Sequence, residues 1–496
     1  MNILLTYPEF PDTFWSFKHA LPFVRKRSAL PPLGLLTVAA LLPRSWERRL
    51  VDLNVQPLTD EDLEWADYVF VSAMAVQQRS VAEVLTRCRA AGVPVVAGGP
   101  LFTAEPERFR NLDHLVLGEA ELTLPALVDD LEHGRPQRVY RAEGFADMTT
   151  SPPPAWELLD IHAYASMSIQ YSRGCPYDCE FCDVTRLLGH RPRVKNAKQI
   201  LGELTALYQR GWRRGVFFVD DNLIGNRRRL REDLLPALGE WRKIHPGMVF
   251  NTEASINLAD EPEMMEAMVE AGFSMVFVGI ETPDPAALAE CNKNQNLRRD
   301  MLSDVRRMQR SGLQVQGGFI VGFDSDTPES LPRVVEFIQA AGIVTAMVGL
   351  LQALPGTKLH ARMEKAARLL PSSSGDNVDG GTNIVPLART RGLAEGYKSA
   401  MRWLYSPKPH YQRIRVFLRE YAQRNPAALG NLSEPGAAIM AFARSAFHLG
   451  VVGRERFEYW KLLAWTLTHR PRAFGLAITC AIYGHHFRRT YESHLA

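Results

Sequence analysis

The sequence predicts an α/β protein: two successive βα series, each building a parallel sheet, then a helical C-terminal region. Three observations carry that expectation. Short apolar runs alternate with helical patterns over the first 150 residues. The alternation resumes after the proline-rich break Ser151-Pro152-Pro153-Pro154. Beyond about residue 384 the pattern is helical, without obvious strands. The domains expected are residues 1–150, 151–370 and 371–496, and 496 residues suffice for two or three cores.

In the first series, Ile3–Thr6, Arg49–Asn54, Tyr68–Ser72, Val93–Ala97 and His114–Leu117 read as strands. Leu33–Leu42, Val81–Ala91 and Leu122–Leu131 read as the helices between them, in the spacing of βαβ units and a Rossmann-like sheet. Gly98-Gly99-Pro100 and Gly118-Glu119 then fall just after strands, at the carboxyl edge where such sheets bind ligands. In the second series the strands are Met167–Tyr171, Val216–Asp220, Val249–Glu253, Val276–Ile280, Val315–Val321 and Ala346–Leu351. One intervening helix is marked by Ile200, Leu201, Leu204, Leu207 and Tyr208 at helical spacing. Six βα units are too few for a closed eight-stranded barrel, so an open partial (β/α)6 barrel is expected, with its site at the strands' C-terminal ends. Ser and Gly residues over Pro371–Thr382 read as a loop or lid.

The N-terminus lacks a basic n-region and reads as a strand, and the longest apolar run, Ala473–Gly484, has only 12 residues. The cytoplasm is the expected compartment. Net charge is +3, yet residues 401–496 hold 14 Lys and Arg against 5 Asp and Glu, a local +9. Such a tail either meets an anionic surface or is a solvated basic face.

Six cysteines stand at 88, 175, 179, 182, 291 and 480, three of them within eight residues, which is no disulfide framework. Cys175-Pro-Tyr-Asp-Cys179-Glu-Phe181-Cys182 can wrap three thiolates around one 4Fe-4S cubane, leaving an iron without a protein ligand. The alternatives are structural zinc, with His190 as a fourth ligand, and an electron-transfer centre, which would want a fourth cysteine nearby.

This Cys-x3-Cys-x2-Cys motif, with an aromatic before its last cysteine, resembles the radical S-adenosylmethionine (SAM) superfamily. The resemblance implies that the open iron chelates SAM, whose reductive cleavage yields a hydrogen-abstracting 5′-deoxyadenosyl radical. Phe181 and four strand ends match in kind. Asp220 and Asp221 resemble the acidic motif near the SAM amino group, and Glu253 stands where a ribose contact is often found. Glu281, in Gly279-Ile-Glu-Thr282, and Gly318 with Ile320, in Gly318-Phe-Ile-Val-Gly322, resemble the fourth-strand and adenine motifs.

The first domain resembles the cobalamin-binding domain that precedes many radical SAM methylases. The matching residues are Pro32, Gly34, Asn54, Ser72, Gly98, Gly99, Pro100, Gly118 and Glu119. Small residues at such turns let a flat corrin lie across the sheet edge. The Asp-x-His-x-x-Gly cobalt-ligand motif is absent; Asp113-His114-Leu-Val-Leu-Gly118 has the wrong spacing, and His114 reads as part of a strand. A purely structural α/β domain is the alternative.

The tail, from Phe457-Glu-Tyr-Trp460 through Tyr483-Gly-His-His486, is similar to that of the subgroup including the bacterial hopanoid A-ring methylases. So are Phe14-Trp15-Ser-Phe17-Lys18 and Asn251-Thr-Glu-Ala-Ser-Ile-Asn257. The resemblance implies a cobalamin-dependent C-methyltransferase acting on an unactivated carbon of a lipid such as a hopanoid, with 4Fe-4S, SAM and cobalamin as cofactors. Other substrates in view are a tetrapyrrole, a peptide or a secondary metabolite. Alternative functions are a radical SAM cyclase, oxidase or isomerase, or a non-catalytic iron–sulfur or cobalamin sensor. The expected partners are a small-molecule or lipid substrate, a flavodoxin- or ferredoxin-type electron donor and a peripheral membrane contact, with no nucleic acid. Two readings of the tail stay open: an interfacial helix carrying Ala473–Gly484 along a membrane, or a cap packed on the barrel. His485, His486 and His494 lack Cys or carboxylate partners at ligand spacing and read as hydrogen-bonded or surface residues.

Overall fold

The computed structural model describes residues 1–370, 374–387, 392–424 and 435–494. Of the expected loop, residues 371–373 lie outside the described residues.

Six parallel strands form the first sheet: β1 (Asn2–Tyr7), β2 (Glu47–Asp52), β3 (Tyr68–Ser72), β4 (Val95–Gly98), β5 (His114–Leu117) and β6 (Val139–Arg141), in the order β2-β1-β3-β4-β5-β6. Alternate side chains divide between two cores, as the period of two requires. Leu4, Val69, Val71, Val95 and Leu115 meet the helix Gln78–Ala91, whereas Ile3, Leu5, Phe70, Val96 and Val116 meet the helices Leu33–Leu41 and Ala120–Glu132. The strand order reverses beside β1. The loops after β1 and β3 therefore diverge at the carboxyl edge and open the crevice where doubly wound sheets bind ligands. The sixth strand was not expected: its three residues include only one buried side chain, Tyr140.

A short antiparallel pair, β8 (Ser172–Arg173) and β9 (Arg193–Val194), brackets the cysteine loop. The second sheet runs β7 (Met167–Ile169), β10 (Gly215–Phe218), β11 (Val249–Glu253), β12 (Phe273–Glu281), β13 (Gln314–Val321) and β14 (Ala346–Leu350). These six strands are parallel and lie side by side in sequence order, an open partial barrel. Val276, Val278, Val315, Phe319, Val348 and Leu350 belong to one core with the flanking helices. The alternating residues Met275, Phe277, Gly318, Ile320 and Met347 consequently face the inside of the curved sheet.

The edge strand β14 would expose unpaired backbone groups. Tyrosines from the C-terminal helices cover it. Tyr405 Oη donates to the Ala346 carbonyl at 2.6 Å and accepts from its N–H at 3.1 Å, and Tyr397 Oη donates to the Val348 carbonyl at 2.8 Å.

The helix Phe474–His494 overturns the interfacial reading of Ala473–Gly484. Leu476, Ala477, Ile478, Cys480, Ala481 and Ile482 are all buried, so the run is the core of the C-terminal region. His486 is buried and bonded to the Phe14 carbonyl at 3.0 Å, while Phe14 stacks on Phe487 at 4.1 Å. Among the described residues, no helix is long and apolar enough to cross a membrane.

Candidate active site at the facing strand ends

The cysteine loop leaves β8 through Gly174. A φ of +97°, and a Cβ that would sit 2.7 Å from the Gly189 carbonyl oxygen, restrict this position to glycine. Cys175, Cys179 and Cys182 follow, each half-buried. The residues between them are tied to segments that follow three different strands, β11, β12 and β14. Asp178 pairs with Lys358, and Glu180 takes two bonds from Arg362 at 2.6 and 2.9 Å. Tyr177 Oη accepts from Asn257 Nδ2 at 2.9 Å, and the Glu180 N–H donates to the Cys291 carbonyl. None of these anchors was singled out from sequence; the alternation of Asp and Glu with the cysteines was the available signal.

Burial pushes all three thiols up, Cys182 to about 12, so ionised sulfurs here need a cation among them. Among the described residues no three Cys, His, Asp or Glu side chains converge as ligands of a single ion must, and His190 is exposed. Three thiols with an exposed His190 match a cubane that keeps one iron open better than tetrahedral zinc, which needs a fourth protein ligand.

The strand-end carboxylates divide by alternation. Asp220, two residues past the end of β10, is fully buried and accepts the Tyr171 N–H at 3.1 Å and the Ser172 N–H. Its oxygens fix the turn that launches the cysteine loop, a structural role beside the SAM contact expected of Asp220. Asp221 follows it, and its buried Oδ2 has no hydrogen-bond partner among the described residues. Burial raises Asp221 to about 6 and Glu253, at the end of β11, to about 8, with neighbouring carboxylates adding to both. Glu281 sits beyond a register shift between β12 and β13 with φ +64°, a conformation rare outside glycine. Its carboxylate accepts from Lys293 Nζ at 2.7 Å. Burial alone would lower Lys293, but Glu281 outweighs it and holds the ammonium above its ordinary range, facing the Phe181 ring at 6.0 Å. Phe181 and Ile320 are both partly exposed and pack on one apolar cluster. Gly318 is close-packed, with its Cβ position 2.8 Å from the Phe277 ring.

An orphaned oxygen on Asp221, a Glu253 carboxylate without a hydrogen-bond partner among the described residues and an apolar wall fit a ligand with an ammonium group, hydroxyls and a flat aromatic ring. A pH test follows. Because the folded protein keeps a proton on Glu253 between its ordinary 4.5 and about 8, cofactor-free protein binds more protons folded than unfolded in that window. Stability therefore falls as pH rises through it. Glu253→Gln should remove that part of the decline in thermal scans at pH 5 and 8.

On the first sheet, Ser72, Gly98, Gly99, Pro100 and Gly118 line adjacent ends of β3, β4 and β5, with Pro32 and Gly34 at the helix start after β1. Gly99 has φ +89°, and a Cβ there would collide with Ser72 Oγ, while one on Gly98 would lie 3.0 Å from the Val116 carbonyl oxygen. Gly34 opens onto free space. This edge, flattened by missing side chains, fits a broad planar ligand. Asn54 braces the turn after β1, accepting from the Phe10 N–H at 2.9 Å, and lines a cavity of about 420 Å³ with Glu9, Ser80 and Arg87. His114 opens β5, at the far end from this edge, with Nδ1 bonded to the Gln137 carbonyl at 2.7 Å.

Glu119 departs from expectation. It is buried and receives Arg193 through both oxygens at 2.5 and 2.9 Å, with Arg173 at 3.4 Å. Glu121 takes a two-pronged contact from Arg173 at 2.9 and 3.0 Å. Both arginines belong to the β8–β9 pair, so these ion pairs join the carboxyl edge of the first sheet to the base of the cysteine loop. The carboxylate of Glu119, expected to meet the corrin, is engaged by these arginines between the sheets.

Three family models match in succession: a B12 binding domain over residues 25–128, the Radical SAM superfamily over 169–338, and a domain of unknown function, DUF4070, over 357–496. An uncharacterized methyltransferase of Synechocystis is 41% identical over 99% of this chain and 92% of its own length. The hopanoid C-2 methylase of Rhodopseudomonas palustris is 37% identical over 93% of this chain and 88% of its own. A solved cobalamin-dependent S-adenosylmethionine radical enzyme, with aqua-cobalamin and S-adenosylmethionine bound, superposes with a TM-score of 0.64 at 13% identity. That superposition covers 100% of this chain and 79% of the other, and shows the same fold.

Proposed function

From the premise that the chain belongs to the radical SAM proteins with an N-terminal cobalamin-binding domain, in the subgroup that includes the hopanoid methylases, we propose that it C-methylates a pentacyclic lipid of the hopanoid type. It is a cobalamin-dependent radical SAM methyltransferase. The observation that carries the reading is the joining of the two carboxyl edges by Glu119, Glu121, Arg173 and Arg193, because methyl transfer needs both cofactors to reach one substrate carbon.

When bound, the 4Fe-4S cluster with SAM supplies hydrogen abstraction and the cobalamin supplies the methyl group. Cys175, Cys179 and Cys182 would hold the cluster, leaving one iron open to SAM. Asp221 would take the SAM ammonium and Glu253 its ribose hydroxyls, both losing the cost of a bare buried carboxylate. Phe181 and Ile320 would wall the adenine, with Gly318 keeping the sheet close-packed beneath and Glu281 holding Lys293 behind Phe181. Ser72, Gly98, Gly99, Pro100 and Gly118, with Pro32 and Gly34, would bear the corrin. We assign these roles to residues 1–150 for cobalamin, 151–370 for SAM, and 371–496 for the substrate side. An apolar substrate is supported by Trp15, 36% exposed, which lies edge-on to Phe277 at 5.3 Å and donates its indole N–H to Met347 Sδ. A lipid substrate would be met through peripheral membrane contact, and a flavodoxin- or ferredoxin-type protein would supply electrons.

The test is anaerobic incubation of reconstituted protein with SAM, a low-potential reductant and a desmethyl hopanoid. Methylated hopanoid with S-adenosylhomocysteine is expected. Cleavage of SAM to 5′-deoxyadenosine without S-adenosylhomocysteine would instead indicate a cyclase, oxidase or isomerase.

A further inference from the structure

Of 17 exposed large apolar side chains among the described residues, eight come from the single stretch 439–467. The helix Pro435–Phe447 carries Ile439, Met440 and Phe447 outward, and the turn His448–Val452 that follows exposes Val451 and Val452. The helix Arg456–His469 is two-faced in an unusual way. Tyr459, Leu462, Leu463 and Thr466 face the core, yet Phe457, Trp460, Ala464 and Leu467 form a second stripe, exposed, at spacings of three, four and three. Trp460 donates its indole N–H to the Gly450 carbonyl at 2.9 Å, which fixes this stripe beside the Val451–Val452 turn. A contiguous apolar face of this kind needs a partner.

Its charges say which. Arg454, Arg456 and Lys461 border the turn and the stripe; Arg454 pairs with Glu492 at 3.5 Å and Lys461 with Glu458 at 3.0 Å, so Arg456 carries the uncompensated charge. Arg456 begins its helix, where the helix dipole disfavours a cation, and among the described residues it pairs with no carboxylate; its guanidinium lies 5.0 Å from the Phe457 ring. Glu455, the acidic residue between the two arginines, is buried and held by Arg488 at 2.5 Å, so it does not neutralise the surface. A two-fold dimer through this face would bring two copies of the same cationic patch together. An anionic lipid surface satisfies both features, taking Val451, Val452, Phe457 and Trp460 into the headgroup boundary while phosphates meet the arginines.

We propose that the Val451–Val452 turn and the Phe457–Leu467 stripe dock this enzyme on an anionic lipid bilayer. The inference rests on the lipid-substrate reading only for its purpose; vesicle binding requires neither cofactors nor turnover, so the two fail separately. Full-length protein should float with phosphatidylglycerol/phosphatidylcholine vesicles, less with phosphatidylcholine alone, and less again at high salt. The doubly substituted Val451→Glu/Val452→Glu protein, altered only at exposed positions, should bind about tenfold more weakly with unchanged thermal stability. No flotation at low salt, equal flotation of wild type and variant, or a dimer in sedimentation velocity that the variant dissolves would each overturn the proposal.

Discussion

Single replacement of Cys175, Cys179 or Cys182 by alanine should abolish the iron–sulfur chromophore and reductive SAM cleavage, whereas Cys291→Ala should retain both. Cys291 is the informative control because it lies close to the site: its carbonyl accepts from Glu180 of the cysteine loop. Its thiol, however, is buried in the cluster with Ala287, Leu351 and Leu359 and contacts the Leu288 carbonyl at 3.6 Å, and burial pushes it up to about 12. To reach a cluster it would have to unpack the helix Pro285–Glu290. No substitute thiol can therefore rescue a missing corner, and reconstituted wild type should carry about four irons per chain. Iron and sulfide analysis with absorbance near the cluster band reads the result before any substrate is known. A full cluster in Cys182→Ala, or a lost one in Cys291→Ala, would reassign the ligands.

The strands were legible because a parallel sheet buried on both faces requires near-continuous apolar runs, and Tyr68–Ser72, His114–Leu117 and Ala346–Leu350 come close to that pattern. The cysteine loop was legible because its three donors are local. The roles of Asp220 and Asp221 were not separable from sequence, because both lie past the end of β10 and Asp220 is claimed by the Tyr171 and Ser172 N–H groups nearly fifty residues earlier. The tail was harder. Composition alone does not tell an apolar helix lying on a membrane from one at the centre of a bundle, and Ala473–Gly484 is the latter. The exposed stripe lies instead on Arg456–His469, where apolar residues on both faces hide any amphipathic signal. Glu119 escaped for a different reason. Its partner Arg193 is 74 residues away, and no local pattern links a carboxylate after β5 to an arginine in β9.

That long-range pair sets up the second large effect: Glu119→Ala should cost about 3 kcal/mol of stability, because it strands a buried guanidinium that has lost its partner. The side chains of Glu119 and Arg193 are only 5% and 18% exposed, so water cannot fully replace the lost bonds. Arg193 would keep its bonds to the Ala146 and Leu188 carbonyls, which limits the loss but leaves its charge uncompensated. The Arg173–Glu121 pair should survive, since its two bonds do not pass through Glu119, so the sheets should loosen and not separate. Function should suffer more than stability suggests. Misplacing reacting groups by an ångström is enough to cost about a hundredfold in rate, so methyl transfer should fall by that order while SAM cleavage, confined to the second sheet, changes little. Thermal denaturation of the cofactor-free protein reads the first part, and the ratio of methylated product to 5′-deoxyadenosine reads the second. The doubly substituted Glu119→Met/Arg193→Met protein should recover much of the stability, because replacing both charges removes the stranded one. Its product ratio should stay low, because an apolar contact lacks the directional grip of the paired guanidinium. A Glu119→Ala protein as stable as wild type, with an unchanged product ratio and diminished cobalamin retention, would return Glu119 to the corrin and dismiss the latch.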